Sequence, residues 1–127
     1  MRGSTLFLPV ALLLTACAAE PPEPGRPMRT AAGPVECVIL DRIVSRRPLD
    51  GRSIRFETTG GRAYRNALPG RCPSLERAGP SHIVEIEATG ARLCRGDRVR
   101  VYDPAEARNL GSGAFPQCRL GPFTPLR

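Results

Sequence analysis

Arg52-Ser53-Ile54-Arg55-Phe56-Glu57-Thr58-Thr59-Gly60-Gly61-Arg62-Ala63-Tyr64-Arg65-Asn66-Ala67 is the stretch that decides the fold. In an extended chain Ile54, Phe56 and Thr58 fall on one face and Ser53, Arg55 and Glu57 on the other, the period of a half-buried strand. Gly60-Gly61 tolerates the positive φ angles of a tight turn, so Arg62 to Ala67 returns as the antiparallel partner.

Working outward, Leu68-Pro69-Gly70 ends that strand and Cys72-Pro73 continues the turn. His82 to Ala88 alternates again, with Val84, Ile86 and Ala88 inward and Ile83, Glu85 and Glu87 outward. Thr89-Gly90 turns the chain, Arg92-Leu93-Cys94 starts the return and Gly96-Asp97 marks another turn. Arg98 to Tyr102 places Val99 and Val101 inward against Arg98 and Arg100. Asp103-Pro104-Ala105-Glu106 carries a helix start, with Asp103 as N-cap, Pro104 at N1 and Glu106 closing a capping box. Leu110 to Ala114 is loose, and Phe115 to Leu120 is expected as a last strand. Upstream, Cys37-Val38-Ile39-Leu40 is expected as a strand buried on both faces, while Asp41 and Asp50 read as turn residues. The sum is a mainly β fold: a small antiparallel sheet, barrel-like or sandwich, with at most one short helix.

The amino terminus is of another kind. Met1-Arg2-Gly3 is positive and Leu6 to Leu14 is apolar but shorter than the roughly 20 residues a membrane helix needs. Residues 1–16 read as a secretory signal, and Leu14-Thr15-Ala16-Cys17 is similar to the lipobox of bacterial lipoproteins. That assigns lipid to Cys17, with several acyl chains giving a stable membrane anchor. Ala18-Ala19 follows in place of aspartate, favouring the outer over the inner membrane and a domain facing the periplasm. Residues 17–34 hold five prolines and form a tether between the lipidated Cys17 and the domain. Residues 35–127 form the single domain.

With Cys17 set aside, Cys37, Cys72, Cys94 and Cys118 remain. An even set in an exported chain implies two disulfides, which a domain with so thin a core needs. Three pairings are possible; Cys37–Cys118 with Cys72–Cys94 is favoured, because the first joins the ends of the domain and the second closes a short loop. Isolated cysteines without a CxxC pair argue against zinc, and no cofactor is implied.

The order of residues resembles a family of small exported proteobacterial lipoproteins defined only as a domain of unknown function. The resemblance rests on Cys37, Asp50-Gly51-Arg52-Ser53-Ile54-Arg55-Phe56, the Asn66-x-Leu68-Pro69-x-x-Cys72-Pro73-x-Leu75 stretch, Leu93-Cys94-Arg95-Gly96-Asp97 and Cys118-Arg119-Leu120-Gly121-Pro122-Phe123. It spans roughly residues 36–125 and implies an exported domain, with no activity, cofactor or catalytic residue attached.

The full chain has 19 Lys+Arg, all of them arginine, against 12 Asp+Glu. Surplus arginine draws a protein to anionic surfaces and pairs bidentately with phosphate. Arg55, Arg62, Arg65, Arg98 and Arg100 are the candidate contacts to an anionic polymer, provided their strands lie side by side; nucleic acid is the less favoured polymer in an envelope protein. Glu57, Glu85 and Glu87 compete as cross-strand ion-pair partners. His82, the single histidine, follows Ser81, and neighbours in a strand point to opposite faces, so no Ser-His relay is expected. Glu85 and Glu87 share a strand face at a spacing of about 7 Å, open to a glycosidase-like role but commoner as a solvated surface. Arg95-Gly96-Asp97 reads as turn chemistry. The expected function is a non-catalytic binding or structural module of the envelope, with a protein or anionic polymer as partner; a carboxylate-dependent envelope hydrolase is the alternative. A lysozyme inhibitor fits the size, but lysozyme is itself basic and would be repelled.

Overall fold

A computed structural model describes residues 33–127; the expected signal 1–16, Cys17 and the expected tether through residue 32 lie outside the described residues. Among the described residues there are nine short strands, all paired antiparallel, two short α-helices and two 3-10 turns. The strands are β1 (Cys37–Ile39), β2 (Ile43–Asp50), β3 (Ser53–Thr58), β4 (Ala63–Ala67), β5 (Ile83–Glu87), β6 (Arg92–Cys94), β7 (Arg98–Tyr102), β8 (Cys118–Arg119) and β9 (Phe123–Leu126). The helices are α1 (Pro73–Glu76) and α2 (Pro104–Leu110).

Three sheets share one core. Their orders are β2-β3-β4-β9, β5-β7-β8 and β1-β6. The first two are joined on one side by the chain itself, which runs from β8 on β7 to β9 on β4 within Cys118–Leu126. On the other side Arg46 of β2 donates from Nε to the carbonyl of Val84 in β5 at 2.7 Å. The strands thus wrap a common interior in barrel-like fashion. Ile54 and Phe56 of β3, Val84 of β5, Val99 and Val101 of β7, Leu93 of β6, Leu75 of α1 and Phe123 of β9 are fully buried there. Phe123 packs edge-on against Phe56, ring centroids 5.4 Å apart.

The central hairpin forms as its alternation requires. Gly60 and Gly61 carry φ of 86° and 77°, and Ile54, Phe56 and Thr58 face inward. Asp103 caps α2 as expected, its Oδ1 accepting from the backbone N–H of Ala105 at 2.7 Å and of Glu106 at 3.3 Å. Gly96 (φ 89°) and Asp97 form a turn in which Asp97 Oδ2 accepts from the Cys94 N–H at 2.7 Å. Leu110–Ala114 holds a short 3-10 turn over Ser112–Ala114.

Four expectations need correction. The disulfides are Cys37–Cys94 and Cys72–Cys118, in place of Cys37–Cys118 and Cys72–Cys94. The pairing of β1 with β6 sets Cys37 directly opposite Cys94, and Cys72, at the N-cap of α1, lies over Cys118 of β8. Cys37–Leu40 is not buried on both faces, since only Val38 is inside and Ile39 is 43% exposed. The longest strand, β2, occupies a segment read only for its turn residues. Phe115–Leu120 yields just the two residues of β8, and the last strand is β9.

One buried polar device ties the sheets together. Asn66 of β4 is fully buried; its Nδ2 donates to the Gly121 carbonyl at 2.7 Å and its Oδ1 accepts from the Gly121 N–H at 2.8 Å. Gly121 is required at that point because a Cβ there would lie 2.1 Å from the Ala67 carbonyl oxygen. Both polar groups of Gly121 are thus satisfied by one amide in the segment between β8 and β9.

Candidate functional site

The outer face of the β2-β3-β4 sheet gathers arginine. The pairing sets Arg47 of β2 opposite Arg55 of β3, and Arg55 opposite Arg65 of β4. With neighbouring strands about 4.8 Å apart, three guanidinium stems stand in one row across about 10 Å. Like charges directly opposite each other oppose pairing, so the row needs bracing.

Glu57 and Asp50 supply it. Arg47 donates from Nη2 to Glu57 Oε1 at 3.1 Å, and Arg55 donates from Nε to the same oxygen at 2.8 Å. Arg65 donates from Nη2 to Asp50 Oδ2 at 3.0 Å and from Nε to Ser53 Oγ at 3.0 Å. The hydrogen bond from Arg55 holds the Glu57 carboxyl below its ordinary range. Asp50 is also held low, first by hydrogen bonding from Ser53, then by the Arg52 N–H, with the Arg65 charge contributing. Each guanidinium has five N–H groups, and among the described residues Arg47 and Arg55 use one each and Arg65 two. The other donors of the row have no partner among the described residues, and the Arg47, Arg55 and Arg65 side chains are 58%, 31% and 47% exposed.

The expected arginine strip is divided. Arg55 and Arg65 belong to the row. Arg62 sits beyond the Gly60-Gly61 turn at its margin, sharing a shallow hollow with Val44, Arg55 and Glu57. Arg98 and Arg100 lie on β7 in the other sheet and do not join it: Arg98 stands opposite Glu87 and Arg100 opposite Glu85. Arg100 donates from Nη1 to Glu87 Oε1 at 2.9 Å, and Gln117 bridges Arg98 to Glu87. Arg47, not anticipated, takes their place.

Glu85 and Glu87 do share the outer face of β5, as expected, but both stand against arginine. Glu85 Oε2 and Arg100 Nε are buried with no hydrogen-bond partner among the described residues. Next to them the Tyr102 phenol is pushed above its ordinary range by burial and then by Glu85. Tyr102 stacks on Phe115 at 5.5 Å. His82 is half-buried just before β5; its Nδ1 accepts from the Gly79 N–H at 3.0 Å, which fixes the ring as a turn element. Among the described residues no three His, Cys, Asp or Glu side chains gather as a metal site.

Comparison of the chain with protein-family models, characterised proteins and solved structures finds no match.

Proposed function

We propose that this protein is a lipid-anchored module of the bacterial envelope that binds an anionic partner without chemistry, through the face built on Arg47, Arg55 and Arg65. The observation that carries the reading is the register of these three arginines across adjacent strands, braced from one side by Glu57 and from the other by Asp50. Guanidinium pairs with phosphate or carboxylate through parallel N–H donors, and the braced row presents several such donors pre-oriented. The outer-membrane anchor at Cys17 and the tether through residue 34 are parts of the same proposal, resting on the signal grammar of residues 1–17.

Two measurements test it. Binding of the intact chain to inorganic polyphosphate is compared at low and high salt, beside a variant carrying Arg47→Gln, Arg55→Gln and Arg65→Gln. Affinity should fall with salt and with the substitutions; affinity indifferent to both removes the arginine face from the function. Separately, the protein should take up labelled fatty acid in its native cell and Cys17→Ser should abolish that label; label that persists in Cys17→Ser, or none in the parent, would refute the lipid anchor.

A further inference from the structure

The strand β2 departs from regular pairing twice. Its register with β3 shifts between Ile43 and Ser45 and again between Pro48 and Asp50, so Val44 and Leu49 are the extra residues of two bulges. Both are large aliphatic side chains left in solvent, Val44 at 63% and Leu49 at 45% exposure. They bracket Arg47 along the strand. Val44 lies on the same side as the arginine row, since it shares a hollow with Arg55, Glu57 and Arg62.

The row itself is not shaped for one small anion. Arg47 and Arg55 lean together on Glu57, whereas Arg65 turns the other way to Asp50. Guanidiniums splayed along a flat sheet meet several phosphates at once. A soluble polyanion could use that array, but it has no use for Val44 and Leu49. A bilayer surface uses both, phosphates for the arginines and the headgroup–acyl boundary for the aliphatics.

We infer that the outer face of β2, β3 and β4 seats on an anionic lipid surface, with Arg47, Arg55 and Arg65 on lipid phosphates and Val44 entering the headgroup boundary, aided by Leu49, exposed at the other end of the same strand. The inference rests on the anion-binding reading of this face and names its partner. It is independent of lipid at Cys17, although an anchored tether would raise the local concentration of the surface.

The test is co-sedimentation of residues 17–127, free of the signal and carrying Cys17→Ser so that neither signal nor acylation contributes, with vesicles of phosphatidylcholine alone or mixed with phosphatidylglycerol. The chain should bind only the mixed vesicles strongly, and less as salt rises. Arg47→Gln, Arg55→Gln and Arg65→Gln together should weaken that binding on the order of a hundredfold, from a roughly fivefold contribution per arginine near an anionic surface. Val44→Ser with Leu49→Ser should weaken it about tenfold through lost apolar contact, and should leave binding to inorganic polyphosphate unchanged. The substituted side chains are exposed, except for half-buried Arg55, and thermal melts of each variant verify the fold. Equal binding to both vesicles, or full binding by the Val44 and Leu49 variant, overturns the lipid inference. Salt-sensitive binding to polyphosphate with vesicles ignored also overturns it while leaving the anion-binding reading intact. Failure to bind either probe defeats both.

Discussion

Replacing Asn66 with alanine removes the side chain that satisfies both backbone groups of Gly121. Asn66 is fully buried, and its bonds of 2.7 and 2.8 Å to the Gly121 carbonyl and N–H join β4 to the segment between β8 and β9. Alanine leaves a buried donor and a buried acceptor unpaired, each costing about 1–3 kcal/mol, beside the gap left by the amide. The loss should be about 3–5 kcal/mol, against a total stability of about 5–15 kcal/mol for a domain of this kind. At roughly 4–8 °C per kcal/mol for a domain of this size, Tm should fall by about 12 °C or more. Equilibrium urea unfolding followed by circular dichroism, both disulfides intact, reads the difference directly. Asn66→Asp serves as a second probe. It keeps the acceptor for the Gly121 N–H but turns a carboxylate toward the Gly121 carbonyl, so it should be weak at neutral pH and recover as acid restores a donor. A loss below about 1 kcal/mol for alanine would refute the reasoning, since it would mean water replaces the amide at no cost.

Gly121→Ala should be at least as harmful, because the new Cβ would stand 2.1 Å from the Ala67 carbonyl oxygen; a thermal melt within a few degrees of the parent would count against the packing described. Non-reducing peptide mapping should recover Cys37 linked to Cys94 and Cys72 linked to Cys118, and a Cys37–Cys118 peptide would contradict the β1–β6 pairing. Asp50, Glu57 and Glu76 have carboxyls held below their ordinary range, by Ser53, Arg55 and Arg71 respectively in the first place. Depressed folded values mean stability that is complete above the usual carboxylate range and drains as pH falls through it. The urea midpoint should therefore fall between neutral pH and pH 3, and less steeply in Glu57→Gln. Arg46 and Arg47 should part company on substitution by glutamine. Loss of the Arg46 bond to Val84 should cost about 1.5–3 kcal/mol of stability and little anion binding. Loss of exposed Arg47 should cost about 0.5 kcal/mol or less but weaken polyphosphate binding.

The parts of the fold legible in the sequence are those where one rule acts alone. β3, β5 and β7 alternate because one face of each meets the core, and their apolar residues point inward as that pattern requires; Ser53 departs from it, fully buried on the arginine side of β3, where its hydroxyl accepts from Arg65. β2 was hidden by its own bulges: an extra residue at Val44 and another at Leu49 break the period of two, and Arg46-Arg47-Pro48 resembles a loop. β9 was hidden by Pro125, which is tolerated because β9 borders its sheet on that side. The disulfide pairing escaped for a different reason. In the chain-entropy model each bridge in either pairing is worth about 3–4.5 kcal/mol, and the two totals differ by well under 1 kcal/mol. Loop length therefore had no power to choose, and only the register of β1 on β6, a long-range property, could do so. The same holds for the site. Alternation identified which arginines point outward, but not which strands are neighbours, so Arg98 and Arg100 were grouped with Arg55 and Arg65 while Arg47 lay in an unseen strand.

The two sheets put the same residue type to opposite use, and the contrast bears on function. On β7 the outward arginines meet Glu85 and Glu87 across the ladder, an arrangement that aids pairing and largely consumes the charge. On β2, β3 and β4 arginine meets arginine twice over, an arrangement that by itself opposes pairing. Glu57 and Asp50 offset the repulsion, yet they stand at the flanks and leave the outward N–H groups free. A threonine at Arg55 would keep a strand-forming residue and remove both like-charge pairs. A surface of several negative charges gains directly, because the donors are aligned before it arrives and little conformational entropy remains to be lost on contact. The penalty thus falls on the fold and the benefit would fall on the anionic partner we propose, which is why the row, more than the overall excess of arginine, carries that proposal.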